Sequence, residues 1–235
     1  MRKLIGLTAV IVFGGCSGSD TRLALNARSA PSALTVGSSP QRLAAGQGIN
    51  LTRVRFVVER VKLEQVETDG GTDAGTDGGS DGGSGEFALG PFLVDLQGAT
   101  LDSGITQVFQ VNVPPGDYEK IKFRIHKLDG SDARFGQEMA GLSMILEGTI
   151  DAQSFTFTSS LDEEQEREGL FRIQSDQDND ITLAIDAAGW FLDGATRLDP
   201  RLAATDGSIR SIIESNIKAS IDVFDDEDRD GREDG

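Results

Sequence analysis

Apolar and polar residues alternate along much of this chain, and a period of two predicts strands. The longest alternating run, residues 50–66 (NLTRVRFVVERVKLEQV), puts Val54, Phe56 and Val58 on one face. Val61 and Leu63 then take over the apolar role. A period of two cannot change phase unaided, so a bulge or bend is expected near Val57–Glu59. Shorter runs at 33–36, 92–96, 108–113, 118–128, 144–150, 155–158, 170–173 and 181–185 read as further strands. Gly98, Pro114-Pro115-Gly116, Asp129-Gly130 and residues 176–180 punctuate them as turns. Many short strands separated by turns predict a mainly β protein, an antiparallel β-sandwich. The period changes only late: Ile209, Ile212, Ile213, Ile217, Ile221 and Phe224 recur at helical spacing behind Asp206, a capping residue. One helix is expected over residues 206–225, laid against a sandwich spanning 32–205.

The first residues follow neither period. Arg2 and Lys3 precede twelve uncharged residues, Leu4 to Gly15. As a helix that run would span about 18 Å, too short for a hydrocarbon core of about 30 Å. Its length and flanks match the apolar region of an export signal. Cys16, the only cysteine, follows directly after Gly14 and Gly15. This stretch resembles a bacterial lipoprotein signal, whose lipobox ends in the cysteine that becomes the mature N-terminus; Phe13 stands where that pattern has an aliphatic residue. The resemblance implies that residues 1–15 are removed and that Cys16 carries a thioether-linked diacylglycerol and an N-acyl chain. Ser17 in place of Asp then implies the outer membrane, with the N-terminal lipid as the membrane contact. Residues 16–31, small and polar, are expected to form a flexible tether.

Charge narrows the partners. A formal charge of −17 disfavours nucleic acid, and disfavours a bare anionic membrane for the molecule as a whole. With 37% aliphatic and aromatic residues and a single cysteine, stability must come from packing, without an internal disulfide. Within the expected insertion at 67–86, the tetrads TDGG, TDAG, TDGG and SDGG are rich in Gly and Asp, and nothing there can pack. The insertion is expected to be a disordered loop, since calcium-binding repeats use a longer period with an apolar residue to seat each turn.

Fold cues are sharpest at residues 111–125, VNVPPGDYEKIKFRI. A Pro-Gly turn, one residue, then Tyr opening a strand is similar to transthyretin-like and carboxypeptidase-regulatory-like sandwiches. Tyr118, the only tyrosine, could bury its ring and bond its hydroxyl back to the backbone. With FLVDLQG and VRFVVERVKLEQ, residues 34–127 resemble a domain-of-unknown-function family of bacterial surface lipoproteins, which brings no catalytic residues with it.

The C-terminal residues 226–235 carry a candidate ion site. Asp226, Asp228 and Asp230 followed by Gly231 form the D-x-D-x-D-G start of a calcium loop, where alternate side chains converge and Gly makes the turn. Arg232 would offer its carbonyl at the seventh position and Asp234 a carboxylate at the ninth. The pattern resembles half an EF-hand or a thrombospondin type 3 repeat. The sequence ends at the tenth position, without the bidentate Glu of the twelfth, so calcium is expected to bind weakly, at about 10⁻⁴–10⁻³ M.

Catalytic chemistry finds little purchase. His126 is the only histidine, and one His cannot build a three-ligand zinc site. It falls on the solvent side of a strand with Lys120, Lys122 and Arg124, opposite Ile121, Phe123 and Ile125. That basic face, joined by Arg53 and Arg55, could bind an anionic lipid or polysaccharide, but is expected to neutralise acidic loops such as residues 162–168. No G-x-S-x-G elbow occurs. Asp176, Asp178 and Asp180 read as a turn, and Trp190-Phe191 as a plug at the end of the core. The chain is therefore expected to be a lipid-anchored, non-enzymatic envelope protein whose protein or glycan ligand is not named by its sequence. The alternatives are an envelope hydrolase with catalytic carboxylates yet to be identified and a calcium-dependent adhesin or glycan-binding module.

Overall fold

A computed structural model describes residues 21–29, 43–45, 48–66, 86–101, 105–127, 135–175 and 179–225. In chain order the strands begin with β1 (Thr21–Ser29), β2 (Leu43–Ala44), β3 (Ile49–Gln65), β4 (Glu86–Leu89), β5 (Phe92–Gln97), β6 (Ile105–Val113) and β7 (Gly116–Ile125). They continue with β8 (Met144–Ile150), β9 (Gln153–Ser159), β10 (Glu163–Ile173), β11 (Asn179–Ile185), β12 (Leu192–Asp193) and β13 (Thr196–Arg197). The helix α1 (Gly207–Lys218) and β14 (Ile221–Asp225) complete the described chain.

The strands form two open sheets and a separate two-stranded hairpin, β12–β13. The smaller has the order β14-β11-β1-β6, and in the larger β3 is the spine. One edge of β3 carries β2, β5 and β4 in succession; the other carries β8 along its first half and β7 along its second. Strand β9 lies beyond β8, and β10 beyond β7. Pairing is antiparallel throughout these sheets except between β1 and β11.

The expected phase change in β3 is real. The register against β7 slips between Val58 and Arg60, leaving Glu59 as the extra residue. That slip returns Val61 and Leu63 to the core already holding Val54, Phe56 and Val58. A second slip, between Leu51 and Arg53 against β8, does the same for Ile49 and Leu51. Both sheets feed one core, with Leu23, Ala27, Ile181, Leu183 and Ile185 of the smaller sheet in the same cluster. Trp190 and Phe191 are fully buried beyond the end of β11, as expected of a plug. The Phe191 ring meets Phe155 edge-on at 5.7 Å, and the Trp190 indole N–H donates to the Ser220 hydroxyl. Tyr118 buries its ring, and its hydroxyl donates to the Pro114 carbonyl at 2.8 Å.

Four expectations are corrected. Residues 21–29 are no tether: β1 sits in the interior of the smaller sheet, hydrogen-bonded to β6 and β11, with Leu23 and Ala27 buried. The helix stops at Lys218 rather than 225; Ala219 caps it, and Ile221 to Asp225 pair with β11 as a strand. Its start is as expected, with the Asp206 carboxylate accepting from the Ser208 and Ile209 amides at 2.9 and 3.3 Å. Residues 163–168 are not a loop but the first half of β10, and Glu86 opens β4 rather than closing the insertion. The signal, the expected strand at 33–36, the Gly/Asp tetrads and the acidic C-terminal residues lie outside the described residues.

Candidate functional site

The outer face of the larger sheet carries the densest described set of charged groups. Alternation on β7 sends Ile121, Phe123 and Ile125 into the core and Lys120, Lys122, Arg124 and His126 outward. Neighbouring strands supply the counter-charges. From β3, Glu64 reaches Lys122 at 2.8 Å; from β10, Glu166 reaches Lys120 at 2.9 Å and Lys122 at 3.2 Å. Arg124 grips Asp162 through two bonds of 3.0 and 2.9 Å and lies 3.3 Å from Glu59. His126 Nδ1 stands 3.1 Å from the same Asp162 carboxylate.

Hydrogen bonding from Lys120 holds Glu166 below the usual carboxylate range, and Arg124 does the same for Asp162. The bonds to Glu166 and Glu64 in turn raise Lys120 and Lys122 respectively. The neutralisation comes chiefly from one side: β10 sets Glu164, Glu166 and Glu168 opposite Arg124, Lys122 and Lys120, whereas β3 sets Glu64 opposite Lys120 but Arg60 and Lys62 opposite Arg124 and Lys122. His126 is half-buried in this face rather than fully exposed to solvent.

Arg53 and Arg55 do not join this strip. They lie on the first half of β3, where Asp95 takes Arg53 in a two-pronged pair at 2.9 and 2.6 Å. Arg55 is only 4% exposed and is held between Glu138 at 2.9 Å and Glu147 at 3.0 Å. A 3-10 turn, Gln137–Met139, brings Glu138 there. The same turn seats Met139 with Phe135, Val57 and Ile145 in a second, smaller core on the outer side of the sheet. Alternation on β3 read Arg55 as outward, which it is; the segment that covers it comes from far along the chain and left no local signal.

A shallow hollow of about 550 Å³ opens at the C-terminal end of α1, lined by Asp186, Gly189, Asn216, Ser220, Ile221 and Asp222 among others. Its polar groups are largely committed. The Asp186 carboxylate accepts from the Ala188 amide at 2.9 Å, and Asn216 donates to the carbonyls of Gly189, Trp190 and Leu192 at 3.1, 3.2 and 2.7 Å. These bonds staple the helix to the loop that carries the Trp190 plug.

Cys16, Asp226, Asp228, Asp230, Arg232 and Asp234 lie outside the described residues. Among the described residues, no group of three or more His, Cys, Asp or Glu side chains is placed to hold a metal ion. No helix among them is long and apolar enough to cross a membrane. Comparison with protein-family models, with curated proteins and with solved structures gives no match.

Proposed function

We propose that this chain is an exported, lipid-anchored protein of a bacterial outer membrane, held through Cys16, with a non-enzymatic binding or structural role. The observation that carries the reading is the uncharged run from Leu4 to Gly15 between Arg2-Lys3 and the only cysteine. Several acyl chains on one residue make attachment effectively permanent, whereas a single chain holds only marginally. The mutual pairing of charged side chains across β3, β7 and β10 favours a scaffold over a reactive cleft. Replacing Cys16 by Ala should move the protein from the membrane to the soluble fraction, and mass spectrometry of the native N-terminus should find acylated Cys16. Retention in the membrane after the change would defeat the reading.

The residues Asp226, Asp228, Asp230, Arg232 and Asp234 add weak calcium binding to the proposal, on the strength of the D-x-D-x-D-G spacing. A chain ending at Asp225 keeps β14 and should lose one calcium-binding event in a titration; an unchanged isotherm removes that site.

A further inference from the structure

The larger sheet has apolar residues packed on both of its faces. Leu51, Val54, Phe56 and Leu146 belong to the main core, shared with the smaller sheet. Val57 and Ile145 point the other way. Residues 135–142 close over them as a strap, bringing Phe135 and Met139 into the second core, which is separate from the first. Leu93 and Leu142 pack at its rim, half-buried. Among the described residues, the strap's main-chain bonds are its own, from Met139 to Gly136, Ala140 to Gln137 and Leu142 to Met139. Main-chain bonding to the sheet begins only at Ser143, whose carbonyl accepts from Val57 and whose amide donates to Ser159, both at 2.9 Å. Side chains therefore carry the described contacts between strap and sheet.

The polar contact is Glu138, whose carboxylate accepts from Arg55 Nη1 at 2.9 Å. Gly136 stands at a φ of 81°, and a Cβ there would lie 2.7 Å from a Glu138 carboxylate oxygen, so glycine at 136 permits that pose. Arg55 does not need the strap for a counter-charge, because Glu147 on β8 reaches its Nη2 at 3.0 Å. With the strap closed, Arg55 is 4% exposed and its Nε is buried with no hydrogen-bond partner. An unpaired buried donor is costly, and lifting the strap returns it to water. The strap thus sets a carboxylate on Arg55 and, one residue on, a methionine on the apolar floor beside it.

We propose that the outer face of the sheet around Arg55 is a peptide-binding site, filled here by the strap as a built-in competitor, and that a partner segment carrying an acidic residue next to a large apolar one displaces it. The acidic side chain takes the Arg55 donor now given to Glu138. The apolar one replaces Met139 over Val57 and Ile145. Glu147 stays with the sheet, so Arg55 keeps one counter-charge through the exchange. Because the second core is separate, lifting the strap leaves the main core intact, which is the condition for a local opening. The closed strap lowers the apparent affinity for a partner in proportion to the fraction of molecules that are open. The site stands whether or not the chain is anchored through Cys16.

The test uses a blocked, fluorescently labelled peptide of residues 135–142, FGQEMAGL, titrated with the full chain and followed by anisotropy. Met139→Ala weakens the strap while keeping Arg55, Val57 and Ile145, and should raise the apparent affinity at least about tenfold over wild type. Adding Arg55→Gln to that chain, or Glu138→Gln in the peptide, should remove most of the gain. No saturable binding to Met139→Ala, equal binding by wild type, or indifference to both charge changes would overturn the site. Hydrogen exchange on the wild-type chain needs no substitution. The amides of Met139, Ala140 and Leu142 should exchange faster than the bonded amides of β3 and β8, with a weaker dependence on urea below the unfolding transition. Equal rates with equal urea dependence would mean that the strap lifts only when the whole domain unfolds, and would overturn the displacement.

Discussion

Tyr118→Phe isolates one hydroxyl at the junction of the two sheets. The ring is 1% exposed and a phenylalanine fills the same space, so no cavity opens. Lost are the 2.8 Å bond to the Pro114 carbonyl and the longer one accepted from Gln65 at 3.3 Å. Pro114 is exposed and Gln65 half-buried, so water replaces both partners. The cost should then lie near the net worth of one hydrogen bond, about 1 kcal/mol, rather than near the 2–3 kcal/mol of an orphaned buried group. For a domain of this size that is a fall in Tm of about 2–4 °C. Tyr118→Ala removes the ring as well and should cost about 3–5 kcal/mol.

A pH series separates the hydroxyl from any incidental repacking. Burial pushes the Tyr118 pKa up, against a smaller opposing effect of the Gln65 bond. A group whose folded pKa is raised contributes stability in full below its unfolded value, near 10, and loses that contribution as pH rises through the folded value. The stability gap between wild type and Tyr118→Phe, followed by urea unfolding, should therefore be constant through neutral pH and shrink in the alkaline range. An unchanged Tm in Tyr118→Phe, or a gap that widens above pH of about 10, would refute a stabilising role for the Tyr118–Pro114 hydrogen bond.

Asp206→Ala removes the acceptor of two free amides in the first turn of α1, those of Ser208 and Ile209, and should cost about 1 kcal/mol in thermal unfolding, with Asp206→Asn losing much less. Phe191→Ala deletes a fully buried ring from the plug and should cost about 3–5 kcal/mol, with hydrogen exchange rising first around residues 187–192. Acid should weaken the fold through Asp151, Asp162, Glu138 and Glu166. Their folded pKa values are depressed, so their contribution is complete above the unfolded values and fades as pH falls through the folded ones. A Tm that is flat from pH of about 5 down to 2 would contradict these pairs, as would a decline that high salt leaves unchanged.

What the sequence made legible follows the range of each interaction. The β3 slip at Glu59 and the cap at Asp206 are local, written in spacings of three or four residues. Tyr118 was readable because its acceptor lies four positions upstream. Strand β1 was not, since its scattered Leu and Ala carry little signal and its hydrogen bonds run to β6 and β11, far along the chain. The end of α1 was obscured by coincidence: Ile213, Ile217 and Ile221 continue a perfect i, i+4 stripe across the break. Long-range bonds mark the turn instead, with the Asp186 amide donating to the Ser220 carbonyl and the Trp190 indole to its hydroxyl. Acidic β10 reads as a loop in isolation and becomes a strand because Lys120, Lys122 and Arg124 stand opposite it.

The position of β1 matters for an anchored protein beyond stability. Under the anchoring proposed here, any pull on the lipid enters the fold at Thr21, along the axis of β1. An edge strand loaded that way has hydrogen bonds on one side only. Strand β1 is bonded on both sides, over seven register pairs with β11 and eight with β6. Pulled along its length, it must shear both ladders together before the core residues Leu23 and Ala27 can move. Attaching the tether to an interior strand therefore lets the same bonds that build the smaller sheet resist detachment.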